Sequence, residues 1–157
     1  MLLLLVRHAP AGSKRHWHGD DRVRPLSPLG LVEAEALGPL LAPFGPTRIV
    51  SSPYLRCVQT VTPLATTLGV RIERSKRLVP SAGTSAELFV RRVSRKDNDA
   101  VVVLCTHGEV IADFQEHLSK SSPELFGDDR RREKGSVWIL DRVEGRIVRS
   151  TYLPPSA

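Results

Sequence analysis

The segment Leu2-Leu3-Leu4-Leu5-Val6-Arg7-His8 at the start of the chain decides the fold class. Five apolar residues in succession, ended by two polar ones, are typical of a strand buried within a sheet. A membrane-spanning helix needs about 20 apolar residues, and a signal peptide needs a basic stretch before its apolar run. Because this segment has neither, it predicts a buried strand that ends in a chemically reactive pair.

Strand-like and helix-like stretches alternate along the rest of the chain, which is typical of helices packed on a largely parallel sheet. We therefore predict one α/β domain, residues 1–157, with three layers. A mostly parallel central sheet carries helices on both faces, and an antiparallel hairpin closes the chain at its C-terminal end. The predicted strands are 2–6, 48–51, 70–73, 100–104, 136–140 and 146–152, with a turn at Glu144-Gly145 between the last two. Four helices are predicted: one that begins at Ser27-Pro28, one that begins at Ser52-Pro53, and two that cover 85–93 and 110–118.

Two of the predicted helices show where they end and which face they bury. Ser27 is expected to cap the first helix, and Gly69 is expected to end the second. Pro63 removes a backbone donor and is expected to kink or interrupt the second helix. The apolar residues expected to form the buried stripe of the first helix are Leu29, Val32, Ala36, Leu37 and Leu40.

The composition favours an ordinary globular protein with an anionic partner. Of 157 residues, 41% are hydrophobic and 25% charged, so neither disorder nor a disulfide scaffold is indicated. Two cysteines suit a reducing cytoplasm. The net charge of +6 attracts anions without choosing among them. Aromatic residues make up only 5%, so a nucleic-acid platform built on stacking is not favoured.

Three predicted strands end in residues suited to phosphate chemistry. Arg7-His8 follows the first strand, Ser51-Ser52 leads from the second to Arg56, and His107-Gly108 follows the strand near residue 104. Ligands of open α/β sheets bind where the carboxyl ends of the strands meet. Guanidinium groups bind a tetrahedral oxyanion through paired hydrogen bonds, and a histidine held against the phosphorus can form a phosphohistidine. Because a single histidine is more often a hydrogen-bonded core residue, this prediction depends on the strand ends being neighbours.

These residues stand in motifs that resemble those of the histidine phosphatase superfamily, which includes the cofactor-dependent phosphoglycerate mutases. The resemblance extends along the whole chain and implies a phosphoglycerate mutase-like fold and a phosphatase that uses neither a metal nor a cofactor. It rests on four motifs in the family's order: 5–9 (LVRHA), 24–30 (RPLSPLG), 51–60 (SSPYLRCVQT) and 103–108 (VLCTHG).

The resemblance also implies a role for each matched residue. His8 would be the nucleophile that becomes phosphorylated. Arg7, Arg56 and His107 would bind the phosphoryl oxygens and offset the charge of the transition state, and the amide of Gly108 would add a donor. Attack needs a neutral ring nitrogen, so we expect a backbone or carboxylate acceptor to hold His8 in one tautomer.

The chain departs from the superfamily where many members carry a general-acid Glu in a Leu-x-Glu segment. This chain has Leu78-Val79-Pro80 there. It resembles in this the bacterial phosphohistidine phosphatases of the SixA type, which are likewise short and have Leu-x-Pro followed by Gly. P–N and P–O–P leaving groups need less protonation than an alkoxide. The expected substrate is therefore a phosphohistidine protein or a nucleotide or other small phosphorylated metabolite. Alternative proton donors are Glu87, Glu109, Asp20 and Asp21.

Further segments (11–14, 19–26 and 134–138) resemble the histidine-phosphatase domain that follows a Nudix domain in MutT-type proteins of mycobacteria. The chemistry associated with those proteins is hydrolysis of oxidised nucleoside triphosphates and dinucleoside polyphosphates, largely by the Nudix part. This sequence has no Nudix box, so it is expected to be a free-standing version, which its start at Met1 favours, or an excised domain. The alternative function is a catalytically weak phosphate- or nucleotide-binding module that acts beside a Nudix partner.

The loop after the first strand is a candidate for contacts with the leaving group. Lys14, His16 and Trp17 are the candidate residues, and the alternative is a solvated loop with Trp17 packed on the body of the protein. His16 and His18 have ligand chemistry but no third histidine nearby, so a metal site is not favoured.

The densest basic cluster, Arg130–Lys134, precedes the segment that leads into the final hairpin. Charge runs of this kind are most often solvated, but the position allows Arg132 to bind outer phosphates at the rim of the site. Cys57 and Cys105 do not open a Cys-x5-Arg phosphatase loop and are expected to be small buried hydrophobes.

Overall fold

The apolar run at the amino terminus forms β1 (Leu2–Arg7), an interior strand of a six-stranded sheet. The computed structural model describes residues 1–82, 88, 92–93 and 100–156. The other strands are β2 (Arg48–Ser51), β3 (Ile72–Arg74), β4 (Val101–Thr106), β5 (Val137–Val143) and β6 (Arg146–Leu153), and the α-helices are α1 (Pro28–Leu41), α2 (Leu55–Leu68) and α3 (Gly108–Ser121).

The sheet has the strand order β3-β2-β4-β1-β5-β6. β3, β2, β4 and β1 are parallel, whereas β5 pairs antiparallel with β1 and β6 antiparallel with β5. The predicted fold class is confirmed, including the closing hairpin, whose turn has positive φ at Glu144 (50°) and Gly145 (80°), as a tight turn of this kind requires. Because Arg7 pairs with Thr106 across parallel neighbours, the residues that follow β1 and β4 lie side by side.

Helices cover both faces of the sheet, and the inner strands are buried on both sides. Leu3 and Leu5 of β1 pack in one core cluster with residues of α3, including Phe114. Leu4 and Val6 point to the opposite face, where their cluster includes residues of α1 and α2. This alternation explains why β1 is a continuous apolar run.

The start of α1 is as predicted, but its predicted buried stripe is only partly right: Leu37 is buried and Leu40 packs against the core, whereas the first two residues of the stripe are exposed. The Ser27 hydroxyl accepts a hydrogen bond from the Gly30 N–H over 3.1 Å. Leu29 and Val32 are 54% and 58% exposed. A Cβ at Gly30 would stand 1.9 Å from the carbonyl oxygen of Pro10, so close backbone packing at this glycine sets which face of α1 turns inward. The buried residues of α1 are Gly30, Glu33, Ala34, Leu37, Gly38 and Leu41.

The second helix begins later than Ser52-Pro53 and is not interrupted. Its first residue is Leu55, and no described side chain caps it; the Ser52 hydroxyl instead lies beside His107 Nε2 and accepts from the Tyr54 N–H over 3.3 Å. Pro63 stays inside the helix, whose buried residues on either side, Val61 and Leu64, hold it against the sheet. Gly69 ends the helix with φ 66°, as predicted.

The remaining element predictions differ from the structure mainly at their ends. β3 begins at Ile72 rather than residue 70, and α3 extends beyond the predicted 110–118 in both directions. The helix predicted at 85–93 lies largely outside the described residues. No helix within the described ranges has both the length and the apolar character needed to cross a membrane.

Candidate active site

His8 directly follows the last residue of β1 and is almost fully buried. Its ring Nδ1 lies 2.8 Å from the carbonyl oxygen of Ala9. Since a carbonyl oxygen can only accept, Nδ1 carries the proton and Nε2 keeps its lone pair. The acceptor that holds the tautomer is therefore the backbone of the next residue.

The surroundings of His8 favour a neutral ring. The pKa of His8 is lowered from its usual 6.5 to about 3, mainly because the ring is buried. The positive charge of the neighbouring His107, Arg56 and Arg7 also lowers it, and the hydrogen bond to Ala9 opposes the shift. The neutral imidazole is the form that can attack an electrophile. The site thus keeps this ring in its nucleophilic form at neutral pH.

The lowered pKa of His8 predicts a loss of stability in mild acid. Between pH 6.5 and about 3 the unfolded state binds a proton that the folded state does not, so stability present above pH 6.5 is lost as the pH falls. At pH 5.5 this loss amounts to about 1.4 kcal/mol. Urea unfolding at pH 7.5 and 5.5 should show wild type losing about that much more than His8→Asn. If both proteins lose the same stability between pH 7.5 and 5.5, His8 is not the group responsible for the loss.

His107 follows β4 as His8 follows β1, and the parallel pairing brings the two rings together. Their centroids are 5.5 Å apart and their planes meet at 66°. The Ser52 hydroxyl, just beyond β2, lies 2.8 Å from His107 Nε2. The Tyr54 ring packs edge-on against His107 with centroids 4.8 Å apart. These contacts fix the orientation of the His107 ring beside His8.

The Arg7 side chain passes between two segments of backbone. Its Nη1 donates to the carbonyl oxygen of Arg132 over 2.6 Å. On the other side lies Gly108, the first residue of α3, where an added Cβ would stand 2.9 Å from Arg7 Cζ. Arg7 Nε is buried and has no hydrogen-bond partner within the described residues. The described residues around Arg7 therefore leave one guanidinium donor unpaired.

Arg56 comes from the first turn of α2 and is only 5% exposed. Its Nη1 donates to the carbonyl oxygen of Asp21 over 2.9 Å, and its Nη2 donates to Asp21 Oδ2 over 3.1 Å. Its guanidinium carbon stands 4.9 Å from the centre of the Tyr54 ring. Its Nε, like that of Arg7, is buried without a partner in the described part of the chain.

The four residues predicted to be catalytic thus meet at one edge of the sheet. His8 and His107 are in ring contact, and both arginines are close enough to act on the charge of the His8 ring. Two guanidinium groups beside a neutral imidazole can bind a tetrahedral oxyanion and present its phosphorus to a nucleophile. That they perform these roles stays a prediction.

Thr60, on α2, ties the backbone beside His8 to the helix that carries Arg56. Its hydroxyl accepts from the Ala9 N–H over 2.9 Å and donates to the Arg56 carbonyl oxygen over 2.6 Å. Thr60→Val should lower the free energy of unfolding by about 1–3 kcal/mol, because it leaves the buried Ala9 N–H without an acceptor. Chemical denaturation measures this loss. Thr60→Ser should restore most of it, and equal stability of both variants would contradict the explanation.

The residues predicted to bind the rest of the substrate lie around this centre. Gly108 lies against the Arg7 side chain. Arg132 contacts Arg7 through its backbone carbonyl oxygen, which accepts from Arg7. The Arg132 side chain instead donates to the Arg130 carbonyl oxygen over 3.3 Å. Lys14 and His16 belong to a short 3-10 turn and are exposed. The binding roles of Lys14, His16 and Arg132 stay predictions.

Two of the suggested proton donors are held in ion pairs. Asp20 Oδ2 lies 2.6 Å from Arg22 Nη2, and hydrogen bonds from Arg22 lower the Asp20 pKa. Asp21 is shared, at 2.9 Å by Arg24 and at 3.1 Å by Arg56. Its partial burial raises the pKa, but the two arginines outweigh burial and lower it overall. Both carboxylates are ionised at neutral pH and poorly suited to donate a proton.

The other two suggested donors differ in position. Glu109 is exposed in the first turn of α3, and Glu87 lies outside the described residues. Among the described residues, no three His, Cys, Asp or Glu side chains come together as a metal-binding group. The expectation that the reaction needs no metal stays a prediction.

Sequence reasoning missed the contacts that orient the central residues. The sequence predicts Ser52 as a strand end and a helix start, and not as a partner of His107, although its place beside that ring follows from the parallel pairing of Ser51 with Cys105. The ion pair of Asp21 with Arg56 joins residues 35 apart in sequence, and no local pattern indicates it. Cys57 and Cys105 are both fully buried, as predicted, but Cys57 Sγ also lies 3.6 Å from His107 Nε2.

Comparison with known proteins finds similarity to proteins named as phosphatases. The 8-oxo-(d)GTP phosphatase of Mycolicibacterium smegmatis is 35% identical over 161 residues, an alignment that covers 98% of this chain and 48% of the relative. The chain therefore spans about half the length of that relative. The structure named for the phosphohistidine phosphatase SixA of Nakamurella multipartitia has a TM-score of 0.76 and 25% identity, over 99% of this chain and 96% of that one.

Two further comparisons concern the fold and the family. Bacillus stearothermophilus YhfR has a TM-score of 0.79 at 16% identity, over 94% of each chain, and shows the shared fold. The sequence profile of the histidine phosphatase superfamily (branch 1) matches residues 3–81, half of the chain, and this range contains Arg7, His8 and Arg56 within their motifs. With two histidines and two arginines gathered at the carboxyl ends of its parallel strands, this chain belongs to the histidine phosphatase superfamily.

Proposed function

We propose that the chain is a phosphatase that transfers a phosphoryl group to His8 Nε2 and then to water, with nucleoside polyphosphates as its preferred substrates. The observation that carries the proposal is the His8 ring. Its Nδ1 donates to the Ala9 carbonyl oxygen, its pKa is lowered to about 3, and its Nε2 is left as a neutral nucleophile. Membership of a superfamily of phosphatases supports the reaction class.

The reaction consists of two displacements at phosphorus. First the Nε2 lone pair forms an N–P bond while the bond from phosphorus to the leaving oxygen breaks, and that oxygen keeps the electron pair. Water then attacks the phosphohistidine, the N–P bond breaks, and the pair returns to Nε2 as a proton passes from the water to solvent. Arg7, Arg56 and His107 would neutralise the negative charge that spreads over the phosphoryl oxygens in both steps.

The charge state of the nearby carboxylates favours good leaving groups. Asp20 and Asp21 are ion-paired, with lowered pKa values, so substrates that expel their leaving group without a proton suit the site best. Phosphoanhydrides and phosphohistidine both qualify. The 35% identity with an 8-oxo-(d)GTP phosphatase favours the nucleotide, since most structural neighbours with SixA names share little more than the fold. We also propose a cytoplasmic location, where both buried cysteines remain thiols.

Two observations favour a second candidate function. Asp21 occupies two donors of Arg56, and the chain corresponds to about half of its relative. A phosphate- or nucleotide-binding module that turns over slowly and acts beside a Nudix hydrolase fits both facts. Such a module binds the same ligands but forms no phosphohistidine at an appreciable rate.

Phosphoenzyme trapping separates the two candidates. The purified protein is mixed with γ-³²P-labelled GTP, a labelled phosphohistidine peptide or labelled acetyl phosphate in buffer containing EDTA, and then denatured in alkali. We expect a label that is stable to alkali, lost in acid, and located on His8 by peptide mapping. Nucleotide binding without any label, across all three donors and with added Mg²⁺ as well, would overturn the enzymatic proposal in favour of the module.

A further inference from the structure

A cavity of about 300 Å³ opens in the loop between β1 and α1. That volume is at the lower end of the range for small-molecule sites. Its lining includes none of the four residues predicted to be catalytic (Arg7, His8, Arg56 and His107), so the cavity is separate from the place where the phosphoryl group is expected to bind. Its lining residues are Gly12, Ser13, His16, Trp17, Pro25, Leu26, Ser27 and Pro28.

The walls of this cavity suit a flat, aromatic group. Trp17 and His16 contribute rings, and Pro25, Leu26 and Pro28 contribute apolar surface. Both ring residues are solvent-exposed, Trp17 by 37%. Stacking on an aromatic side chain stabilises any nucleobase, because every base has a π face.

The Trp17 ring is fixed before any ligand binds. Its Nε1 donates to the carbonyl oxygen of Asp20 over 2.9 Å. Its indole also lies against Gly19, where an added Cβ would stand 3.3 Å from Nε1. A ring held in this way offers its surface with little further loss of conformational entropy, which favours binding by stacking.

A short chain of hydrogen bonds joins the cavity to the phosphoryl site. The carbonyl oxygen of Gly12, in the cavity wall, accepts from Arg24 Nη1. Arg24 Nε donates to Asp21 Oδ1, and Asp21 Oδ2 accepts from Arg56 Nη2. The wall also reaches α2 directly, because the Leu26 N–H donates to Gln59 Oε1 over 2.8 Å. The cavity is therefore built on the same side chains that hold the arginine expected to bind phosphate.

We propose that this cavity binds the nucleobase of a nucleoside polyphosphate whose terminal phosphoryl group reacts at His8, with Trp17 as the stacking platform. The inference rests on the proposed function, since it needs a phosphoryl group between Arg7 and Arg56. Lys14, which is exposed and stands between the lining residues Ser13 and His16 in the sequence, would attract the polyphosphate through its charge. Specificity for a nucleotide over a simple polyphosphate then comes from this loop.

Steady-state kinetics on a matched pair of substrates, GTP and inorganic tripolyphosphate, test the inference. Both carry the same phosphate chain, but only GTP carries a base. Trp17→Ala should raise KM for GTP about tenfold or more with little change in kcat, and leave both constants for tripolyphosphate unchanged. Trp17→Phe keeps a ring and should recover most of the GTP affinity. Val23→Ala is the matched control, since Val23 is exposed in the same loop and outside the cavity lining.

A binding measurement keeps this inference distinct from the proposed function. Trp138 is buried, whereas Trp17 is exposed, so GTP stacked in the cavity should quench tryptophan fluorescence in wild type and in His8→Asn. The quenching should disappear in Trp17→Phe/His8→Asn if it arises from Trp17. Quenching without any phosphoenzyme would support base binding in the cavity and contradict the proposed phosphatase activity. Turnover of GTP with no quenching would contradict base binding in the cavity and leave the proposed phosphatase activity standing. So would a Trp17→Ala variant whose KM changes equally for GTP and tripolyphosphate.

Discussion

Replacing His8 by asparagine is expected to abolish the phosphoenzyme and to lower kcat/KM by at least about 10³-fold, the scale of losing a catalytic nucleophile. Asparagine retains an N–H that can donate to the Ala9 carbonyl oxygen, as His8 Nδ1 does, but it has no nitrogen lone pair to attack phosphorus. The buried neutral ring is therefore replaced by a neutral group of smaller volume. Stopped assays of phosphate release and acid-labile labelling measure the two losses separately.

His117→Asn is the matched control for this substitution. His117 lies on α3, nine residues beyond Gly108 and so about 13 Å along the helix axis from the site, and we expect wild-type kinetics. The urea midpoint of His8→Asn shows whether the fold survives. A folded His8→Asn protein that releases phosphate at more than a tenth of the wild-type rate would show that another group attacks the phosphorus.

The position of His8 and its neighbours was predictable because it follows from strand ends in a parallel sheet. An apolar run that stops at Arg7-His8, and a second that stops near His107, bring their polar residues to one edge once the strands are parallel neighbours. The motif that contains Arg56 follows the second strand and brings a further arginine to the same edge. The fold class follows from the same alternation of strands and helices.

What the sequence did not predict depends on contacts between distant segments. The inward face of α1 is set by the approach of Gly30 to the Pro10 carbonyl oxygen, whereas the apolar residues of that helix lie on several sides and do not single out one face. Likewise the charge state of Asp21 depends on Arg24 and Arg56. The sequence therefore indicates which residues could donate a proton, but it does not show which of them are ionised.

Gly108→Ala is expected to lower kcat/KM by about 10²-fold without lowering stability. The new methyl group would stand 2.9 Å from Arg7 Cζ, 3.1 Å from Nε and 3.2 Å from Nη2. The guanidinium group, at the end of a flexible side chain, can move away at little cost to folding. In doing so it leaves the Arg132 carbonyl oxygen and the position from which it would bind the phosphoryl group. Misplacing a charge-stabilising group by about 1 Å costs rates of this size.

Gly38→Ala is the matched control, because Gly38 also lies in a helix and an added Cβ there would meet its nearest atoms at 3.9 Å, an ordinary contact. It should keep wild-type kinetics and gain up to about 1 kcal/mol of stability from the helix propensity of alanine. A double-mutant cycle assigns the effect to Arg7: in an Arg7→Ala background, Gly108→Ala should cost little further activity. If Gly108→Ala lowers kcat/KM as much in the Arg7→Ala background as in wild type, then Gly108 acts on the substrate independently of Arg7. Its own N–H would be the first group to test.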